Sequence, residues 1–380
     1  MFILPQKIEY VLDTLHRSGF EGYIVGGCVR DMLLGKIPHD FDVTTNAAPQ
    51  QIIGIFEKTI PTGIAHGTVT VICEETPIEV TTYRTESEYS DCRHPDKVEF
   101  VSSLDADLAR RDFTVNAIAY SHETGIVDLF GGQKDLENRV LRAVGDPEIR
   151  FTEDALRILR LFRFAGVLGF NPEDETFKAA LKKAKLLENV SRERIFTELK
   201  KCLCGKAPSA LEPLITAGGF KSIGIQKCDK LEVIAKLENK QKLRLFAFLS
   251  LCGCDIKNTL TALKASNDEK KYCLGLQSAF LQNSIKDILN ISSEEICRDY
   301  LSVKQELFKT DINAELKELE RIINSGEPYK ISHLKISGDE LTRMGITGKA
   351  VGETLEKLRK AVCKTPELNT PEKLKSLVTK

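Results

Sequence analysis

The hydrophobic pattern of this 380-residue chain changes near Pro147, and this change constrains the fold more than any other feature. Before it, short β-rich runs such as Thr68–Cys73 alternate with helical stretches. After it, apolar residues recur three and four apart with few β-branched runs, which is typical of packed helices. We therefore predict an α+β protein, with an α/β region over residues 1–145 and about eight to ten helices beyond it.

Several local signals add detail to this outline. An amphipathic helix is expected to end near Arg17, and Asp146-Pro147 predicts a helix start, because proline is tolerated at the first helical position. Residues 85–98 are polar, charged and aperiodic, which predicts a long mobile loop. Further strands are predicted at residues 22–26, 40–44 and 78–83.

Charge is unevenly distributed along the chain, although the formal net charge is only −1. Residues 1–150 hold 14 Lys and Arg against 24 Asp and Glu, whereas residues 151–380 hold 40 against 31. An acidic first part can bind divalent cations, and a basic second part can accept a polyanion such as nucleic acid.

The 11 cysteines form no regular framework, which favours a reducing compartment and a cytoplasmic protein. The pairs Cys202/Cys204 and Cys252/Cys254 lack the His or second Cys pair that a zinc site needs, so structural thiols are the better interpretation. The chain starts without a basic and apolar signal segment, and it contains no apolar run of about 18 residues. No secretion or membrane signal is therefore expected.

A glycine pair followed by two aspartates gives the strongest local signal for a function. Gly26-Gly27 precedes a predicted helix that carries Arg30, so backbone N–H groups and a guanidinium can approach a phosphate. Asp40 and Asp42 are two apart on a predicted strand and should project from one face, where two carboxylates suit Mg²⁺. Either motif alone fits an ordinary turn or a solvated strand edge, but both occur within 17 residues. Together they favour a metal and phosphate site.

Two later segments supply further candidates. Glu79, on a predicted strand, is either a third metal carboxylate or a polar residue on an exposed edge. If the segment that begins at Arg110 is helical, Asp112 and Asn116 share a face and can bind a ribose while Arg111 neutralises phosphate. The alternative for this segment is a surface ion pair at a helix N-terminus.

A carboxylate followed by arginines at intervals of three is the most informative pattern. Asp154 and Arg157 are neighbours on a predicted helix, and Arg160 and Arg163 continue the same row. One such pair is usually a surface salt bridge, but three arginines in register are harder to explain in that way. Asp154 could accept from the amino group of cytosine or adenine while Arg157 donates to the ring nitrogen. Guanine and uracil would leave both groups unpaired, so this pair predicts selection of C and A.

These residues resemble the class II tRNA nucleotidyltransferases, the CCA-adding enzymes, which belong with bacterial poly(A) polymerases to the DNA polymerase beta nucleotidyltransferase superfamily. The resemblance covers the whole chain. It rests on five motifs that occur in the order typical of the family. The first motif covers residues 26–31 and 40–42, and the others cover residues 110–117, 128–132, 153–157 and 189–194.

The resemblance implies a polymerase beta-like palm with a mixed sheet, followed by an all-helical neck, body and tail. The implied boundaries are a head at 1–145, a neck with the base-reading helix at 146–205, a body at 206–325 and a tRNA-binding tail at 326–380. It implies addition of C, C and A to the tRNA 3′ end from CTP and ATP, without a nucleic-acid template. Asp40 and Asp42 are then the catalytic Mg²⁺ ligands. The implied nucleotide contacts, together with the two ribose candidates, are Gly27, Arg30, Arg111, Asp112, Asn116, Asp154, Arg157, Arg160 and Arg163.

Other functions fit parts of the sequence. The nearest alternative is an enzyme that adds only A, either to tRNA or as a poly(A) polymerase. In this family the loss of the polar loop after Arg84 is associated with enzymes that add only the two cytidines, and its presence here favours full CCA addition. The six dispersed histidines argue against an added phosphohydrolase activity. A non-catalytic RNA-binding protein would not need paired carboxylates, and transfer of a nucleotide to a small molecule would leave the helical part unexplained. The oligomeric state is left open.

Overall fold

The structure is a computed structural model that describes residues 2–64, 67–87, 97–100 and 103–378. Its contacts divide the chain into two compact units, Met1–Asp229 and Lys230–Lys380. The division into four parts inferred from the sequence remains a prediction.

The first unit is built around a mixed sheet. Seven strands follow the order β3-β4-β5-β2-β1-β8-β9, in which β2 and β5 are parallel and the other neighbours are antiparallel. This confirms the mixed sheet expected from the sequence. The strands are β1 (Gly22–Val25), β2 (Asp42–Thr45), β3 (Thr59–Gly63), β4 (Thr68–Cys73), β5 (Thr76–Thr82), β6 (Arg84–Ser87), β7 (Lys97–Phe100), β8 (Ile118–Ser121), β9 (Gly125–Asp128), β10 (Val140–Leu141) and β11 (Asn171–Pro172).

The centre of the sheet forms because β1 is apolar and buried along its whole length. Helix α1 (Gln6–Arg17) ends where the sequence predicts and packs its apolar face on this strand. Gly22 permits the close approach, because a Cβ there would lie 3.1 Å from Leu15 and 3.3 Å from Leu12. The sheet therefore holds β1 firmly in place, and the candidate site begins at its C-terminal end.

The predicted loop over residues 85–98 is partly a hairpin. Strand β6 pairs antiparallel with β7, so both ends of the segment are strands rather than loop. Strand β6 (RTES) has no apolar residue, and the alternation in β7 (KVEF) is too brief to separate a strand from a loop by pattern. Residues 88–96 of the predicted loop lie outside the described residues.

Helices surround the sheet and then replace it. The predicted helix start at Asp146-Pro147 is confirmed, because Oδ1 of Asp146 accepts from the N–H groups of Glu148 (2.8 Å) and Ile149 (3.3 Å). The helices that follow α1 in this unit are α2 (Gly27–Leu33), α3 (Pro49–Ile55), α4 (Leu104–Ala109), α5 (Gly132–Asn138), α6 (Pro147–Glu153), α7 (Leu156–Leu168), α8 (Asp174–Lys182), α9 (Arg192–Leu203) and α10 (Glu212–Thr216).

The described residues of the second unit form helices and the loops between them, with no strand. Its C-terminal part has its own apolar cluster, which includes Leu341, Leu358 and Leu374. No helix among the described residues is long and apolar enough to cross a membrane. The helices are α11 (Gln241–Leu251), α12 (Ile256–Ala262), α13 (Asn267–Ala279), α14 (Ile285–Ile291), α15 (Glu294–Phe308), α16 (Asn313–Ser325), α17 (Gly338–Arg343), α18 (Lys349–Lys364) and α19 (Pro371–Val378).

The described residues beyond Pro147 hold 14 α-helices, so the prediction of eight to ten was too low. Serine caps start some of them without a proline or glycine to mark the boundary. Ser284 and Ser293 are examples, since each side chain accepts from a backbone N–H of the helix that follows.

Candidate active site

The turn between β1 and α2 brings the backbone close to an arginine. Gly26 has a φ of +80°, in the left-handed region, and its N–H donates to the carbonyl of Ile118 at 3.1 Å. A Cβ at Gly26 would lie 2.9 Å from Nη1 of Arg111, whereas one at Gly27 would make an ordinary contact, 3.7 Å from Nη2 of Arg30. Gly26 is therefore the position that requires glycine, and the predicted contact residue Gly27 begins α2.

Two aspartates lie at the start of the neighbouring strand. Asp42 is the first residue of β2 and pairs with Val25 in β1, whereas Asp40 precedes the strand. The predicted strand over residues 40–44 thus begins later than expected, although both carboxylates line one cavity. Burial raises the pKa of the Asp42 carboxyl, the Arg111 guanidinium lowers it, and the Asp40 carboxylate raises it again. The two carboxylates therefore repel each other, although both residues remain exposed to solvent.

Such a pair fits a divalent cation, because a cation offsets both the burial and the repulsion of the carboxylates. Mg²⁺ is usually held by one or two carboxylates, with phosphate and water completing its ligands. Glu79 lies opposite Asp42 on the parallel strand β5, but it is exposed and does not line the cavity. Within the described part of the chain, no group of three or more His, Cys, Asp or Glu could hold a metal ion. Asp40 and Asp42 are thus the carboxylates that could share a cation with a substrate phosphate.

A buried aspartate that the sequence did not single out holds two arginines at the cavity. Asp107 on α4 has a fully buried side chain and lies 2.7 Å from Nη2 of Arg110 and 3.1 Å from Nη2 of Arg111. Burial alone would raise the pKa of Asp107, but the charges of Arg111 and Arg110 bring it below its usual range. The spacing of three and four residues between Asp107 and these arginines is the signal that could have identified it.

A hydrogen bond joins Asp112 and Asn116, although the segment does not form the α-helix on which the sequence interpretation was conditional. A 3₁₀ turn covers Thr114–Asn116, and Nδ2 of Asn116 donates to Oδ1 of Asp112 at 3.1 Å. Nε of Arg160 donates to the other oxygen of Asp112 at 2.7 Å, and Nη1 of Arg30 donates to Oδ1 of Asn116 at 2.8 Å. Burial would raise the pKa of Asp112, yet the Arg160 charge and the hydrogen bonds bring it down to about 2. The pair is the centre of a buried network that connects α2 to α7.

The predicted row of side chains from Asp154 onwards is interrupted at its first residue. Helix α6 ends at Glu153 and α7 begins at Leu156, so the expectation that Asp154 and Arg157 share one helix was wrong. The physical reason is a local hydrogen bond, in which Oδ1 of Asp154 accepts from the N–H of Leu156 at 3.0 Å. Aspartate bonds of this kind compete with helix continuation and favour helix starts.

Asp154 and Arg157 have separate ion-pair partners. Arg194 on α9 donates to both carboxylate oxygens of Asp154, at 2.7 and 3.3 Å. Arg157 is buried and donates to Glu153 at 2.9 Å and to the carbonyl of Arg110 at 2.9 Å. Asp154 and Arg157 nevertheless line the same cavity. The sequence missed Arg194 as a site residue, because pattern alone does not show that α9 lies beside α7.

Helix α9 also anchors the end of the arginine row. Oε2 of the buried Glu198 lies 2.5 Å from Nε of Arg163, and its Oε1 lies 4.0 Å from Nη1 of Arg160. Burial lowers the pKa of Arg163, and the Glu198 charge opposes this change. Glu198 therefore partly neutralises two guanidinia at the cavity wall, both of which stay charged at neutral pH.

The cavity formed by these elements has a volume of about 790 Å³. All 11 residues that the sequence analysis assigned to metal or nucleotide binding, from Gly27 and Arg30 to Arg163, line this cavity. Its lining holds nine Arg and Lys side chains against five Asp, so it favours a polyanion. The basic and aromatic lining residues that the sequence did not single out are Arg84, Arg110, Phe164, Arg194 and Lys201.

The chain is similar to known proteins over nearly its whole length. Residues 22–142 match the family model of the poly A polymerase head domain, and residues 169–223 match a model described as a probable RNA and SrmB-binding site of polymerase A. A CCA-adding enzyme of Ligilactobacillus salivarius (strain UCC118) is 38% identical over 94% of this chain and 92% of the relative.

Solved structures give the same result. The crystal structure of a Bacillus stearothermophilus CCA-adding enzyme in complex with CTP is 30% identical, with a TM-score of 0.82 over 95% of this chain and 93% of that chain. A tRNA nucleotidyltransferase complexed with a primer tRNA and an incoming ATP analog is 25% identical, with a TM-score of 0.61 over 82% of this chain and 99% of that chain. Fold and site thus define a nucleotidyltransferase. The chain belongs to the family of CCA-adding enzymes.

Proposed function

We propose that this chain adds C, C and A to the 3′ end of tRNA from CTP and ATP, with Mg²⁺ held by Asp40 and Asp42. The observation that carries this proposal is the cavity in which two aspartates face a row of arginines, in a chain similar to CCA-adding enzymes over nearly its whole length. Seven of the described cysteines are free thiols, namely Cys28, Cys73, Cys202, Cys228, Cys273, Cys297 and Cys363, which supports our proposal of a cytoplasmic location.

The reaction joins the 3′-oxygen of tRNA to the α-phosphorus of the nucleotide and breaks the bond to pyrophosphate. When bound, Mg²⁺ would supply Lewis-acid chemistry that favours ionisation of the 3′-hydroxyl and neutralises charge on the triphosphate. The arginines of the cavity bind and orient the triphosphate, and the backbone near Gly27 allows its close approach. The buried network around Asp112 keeps Arg160 in place before the nucleotide arrives, which reduces the ordering that binding requires.

The direct test uses tRNA that lacks its last three nucleotides, incubated with CTP and ATP separately and together. We expect two added nucleotides with CTP alone, none with ATP alone, and three with both. Because one matching family model describes a poly A polymerase head domain, A-only addition is the second candidate. Extension by ATP alone would establish it.

Asp40→Ala should abolish transfer and leave tRNA binding nearly intact, whereas Asp13→Asn, at an exposed position on α1, should change neither.

We propose that Asp154 and Arg157 select the base. A carboxylate has about four acceptor sites, so Asp154 can accept from an amino group of C or A while it keeps its bonds to Arg194. Replacement of Asp154 or Arg157 by Ala should therefore cost about 1–3 kcal/mol of discrimination against GTP and UTP. Relative kcat/KM values for the four triphosphates measure this, with Glu148→Gln on the exposed side of α6 as control. Unchanged selectivity in both variants would contradict the proposed role.

A further inference from the structure

A single aromatic ring lies beneath three arginines of the cavity. The guanidinium carbons of Arg163, Arg30 and Arg160 lie 3.7, 5.3 and 5.3 Å from the ring centroid of Phe164. Phe164 is on α7 and only 4% exposed, and Phe113 packs edge-on against it, with ring centroids 5.8 Å apart. Arg30 comes from α2, so the ring gathers cations from two separate helices.

Three like charges in this space repel each other, and each also has a polar partner. Arg160 pairs with Asp112 at 2.6 Å, Arg163 with Glu198, and Arg30 with Asp31 at 2.8 Å. These partners lie on different elements and fix one end of each guanidinium. The face of an aromatic ring attracts cations, and more strongly where water is excluded. The Phe164 ring therefore gives the three guanidinia one shared contact that no carboxylate in the network provides.

We propose that Phe164 is a positioning residue for the incoming nucleotide, which holds Arg30, Arg160 and Arg163 at the spacing that receives the triphosphate. This inference rests on the proposed function, because it assigns these arginines to nucleotide binding. The ring does not touch the reacting atoms in this proposal. Its effect is on binding, so its removal should raise the KM for CTP and ATP alike and change kcat much less.

The first test compares two leucine substitutions on the same helix. Phe164→Leu keeps an apolar side chain but removes the ring, and we expect the KM for both nucleotides to rise about tenfold with kcat within about threefold of the original. Phe162→Leu is the matched control, because Phe162 is equally buried on α7 but packs on Phe177, at 6.0 Å between centroids. Its thermal stability should fall while its KM stays unchanged. Equal KM values in the two variants would overturn the proposal.

A second test keeps the shape of the ring and therefore does not depend on how Phe164→Leu folds. Replacement of Phe164 by phenylalanines with increasing numbers of fluorine atoms weakens the negative ring face in steps at nearly constant volume. We expect the KM for CTP to rise with each step, whereas a purely packing role predicts no trend. A flat series in an enzyme that still completes CCA ends would overturn the inference alone. Absence of CTP and ATP addition by the unmodified enzyme would instead contradict the proposed function.

Discussion

Asp112 is the residue whose charge the arginine network depends on most directly. Its oxygens accept from Asn116 and Arg160, and its pKa in the folded protein is about 2, below the 3.8 that is usual for an aspartate side chain. A lowered folded-state pKa means that ionised Asp112 stabilises the protein fully above the unfolded-state value. This contribution decreases as the pH falls from about 4 to about 2.

We therefore expect Asp112→Asn to lower the free energy of unfolding by about 2 kcal/mol at neutral pH, because Arg160 loses its nearest buried counter-charge. The difference in free energy of unfolding between this variant and the original protein should shrink as the pH is lowered from about 4 to about 2. Chemical denaturation at a series of pH values measures it, and Asp13→Asn serves as the exposed control, with an expected change within about 0.5 kcal/mol. A deficit that does not depend on pH would show that the Asp112 charge is not the cause.

At the scale of elements, the sequence predicted the type of each segment better than its ends and partners. Strand β4 matches the prediction at both ends, because β-branched residues fill its first five positions. Asp154 was predicted to share a helix with Arg157, since the apolar period does not reveal that its carboxylate accepts from the backbone N–H of Leu156. Glu198 and Arg194 were missed for a different reason. Their partners are 35 to 40 residues away, on helices whose contact no local pattern encodes.

The strand-turn-helix of β1 and α2 gives a prediction at this scale. Gly26→Ala should impair catalysis more than stability alone would explain, because the new methyl group must displace Arg111, 2.9 Å away. Gly125→Ala is the matched control, since Gly125 also has a positive φ, +72°, but nothing within 4 Å. Both variants should lose about 1 kcal/mol of stability from backbone strain. Only Gly26→Ala should lose at least about tenfold in kcat/KM for CTP. Equal kinetic losses would contradict the role of the close contact.

At the scale of the whole molecule, the candidate active site and an excess of basic residues lie in different parts of the chain. The cavity-lining residues run from Gly26 to Lys201 and all belong to the unit Met1–Asp229. The unit Lys230–Lys380 has 26 Lys and Arg against 21 Asp and Glu, and its C-terminal part has an apolar cluster of its own. Binding of a nucleotide should therefore require only the first unit. A long polyanion such as tRNA should bind more tightly when both units are present.

We expect a fragment of residues 1–229 to unfold cooperatively and to bind CTP within about threefold of the affinity of the full chain, because compact units with their own cores can fold alone. Its affinity for primer tRNA should be at least about tenfold lower and should depend less steeply on salt concentration, because fewer phosphates are neutralised. Calorimetric titration with CTP and filter binding with tRNA at several salt concentrations measure the two effects. Full-length Asp40→Ala is the control that should keep the tRNA affinity and its salt slope. A folded fragment that binds tRNA as tightly as the full chain would place all tRNA contacts in the first unit.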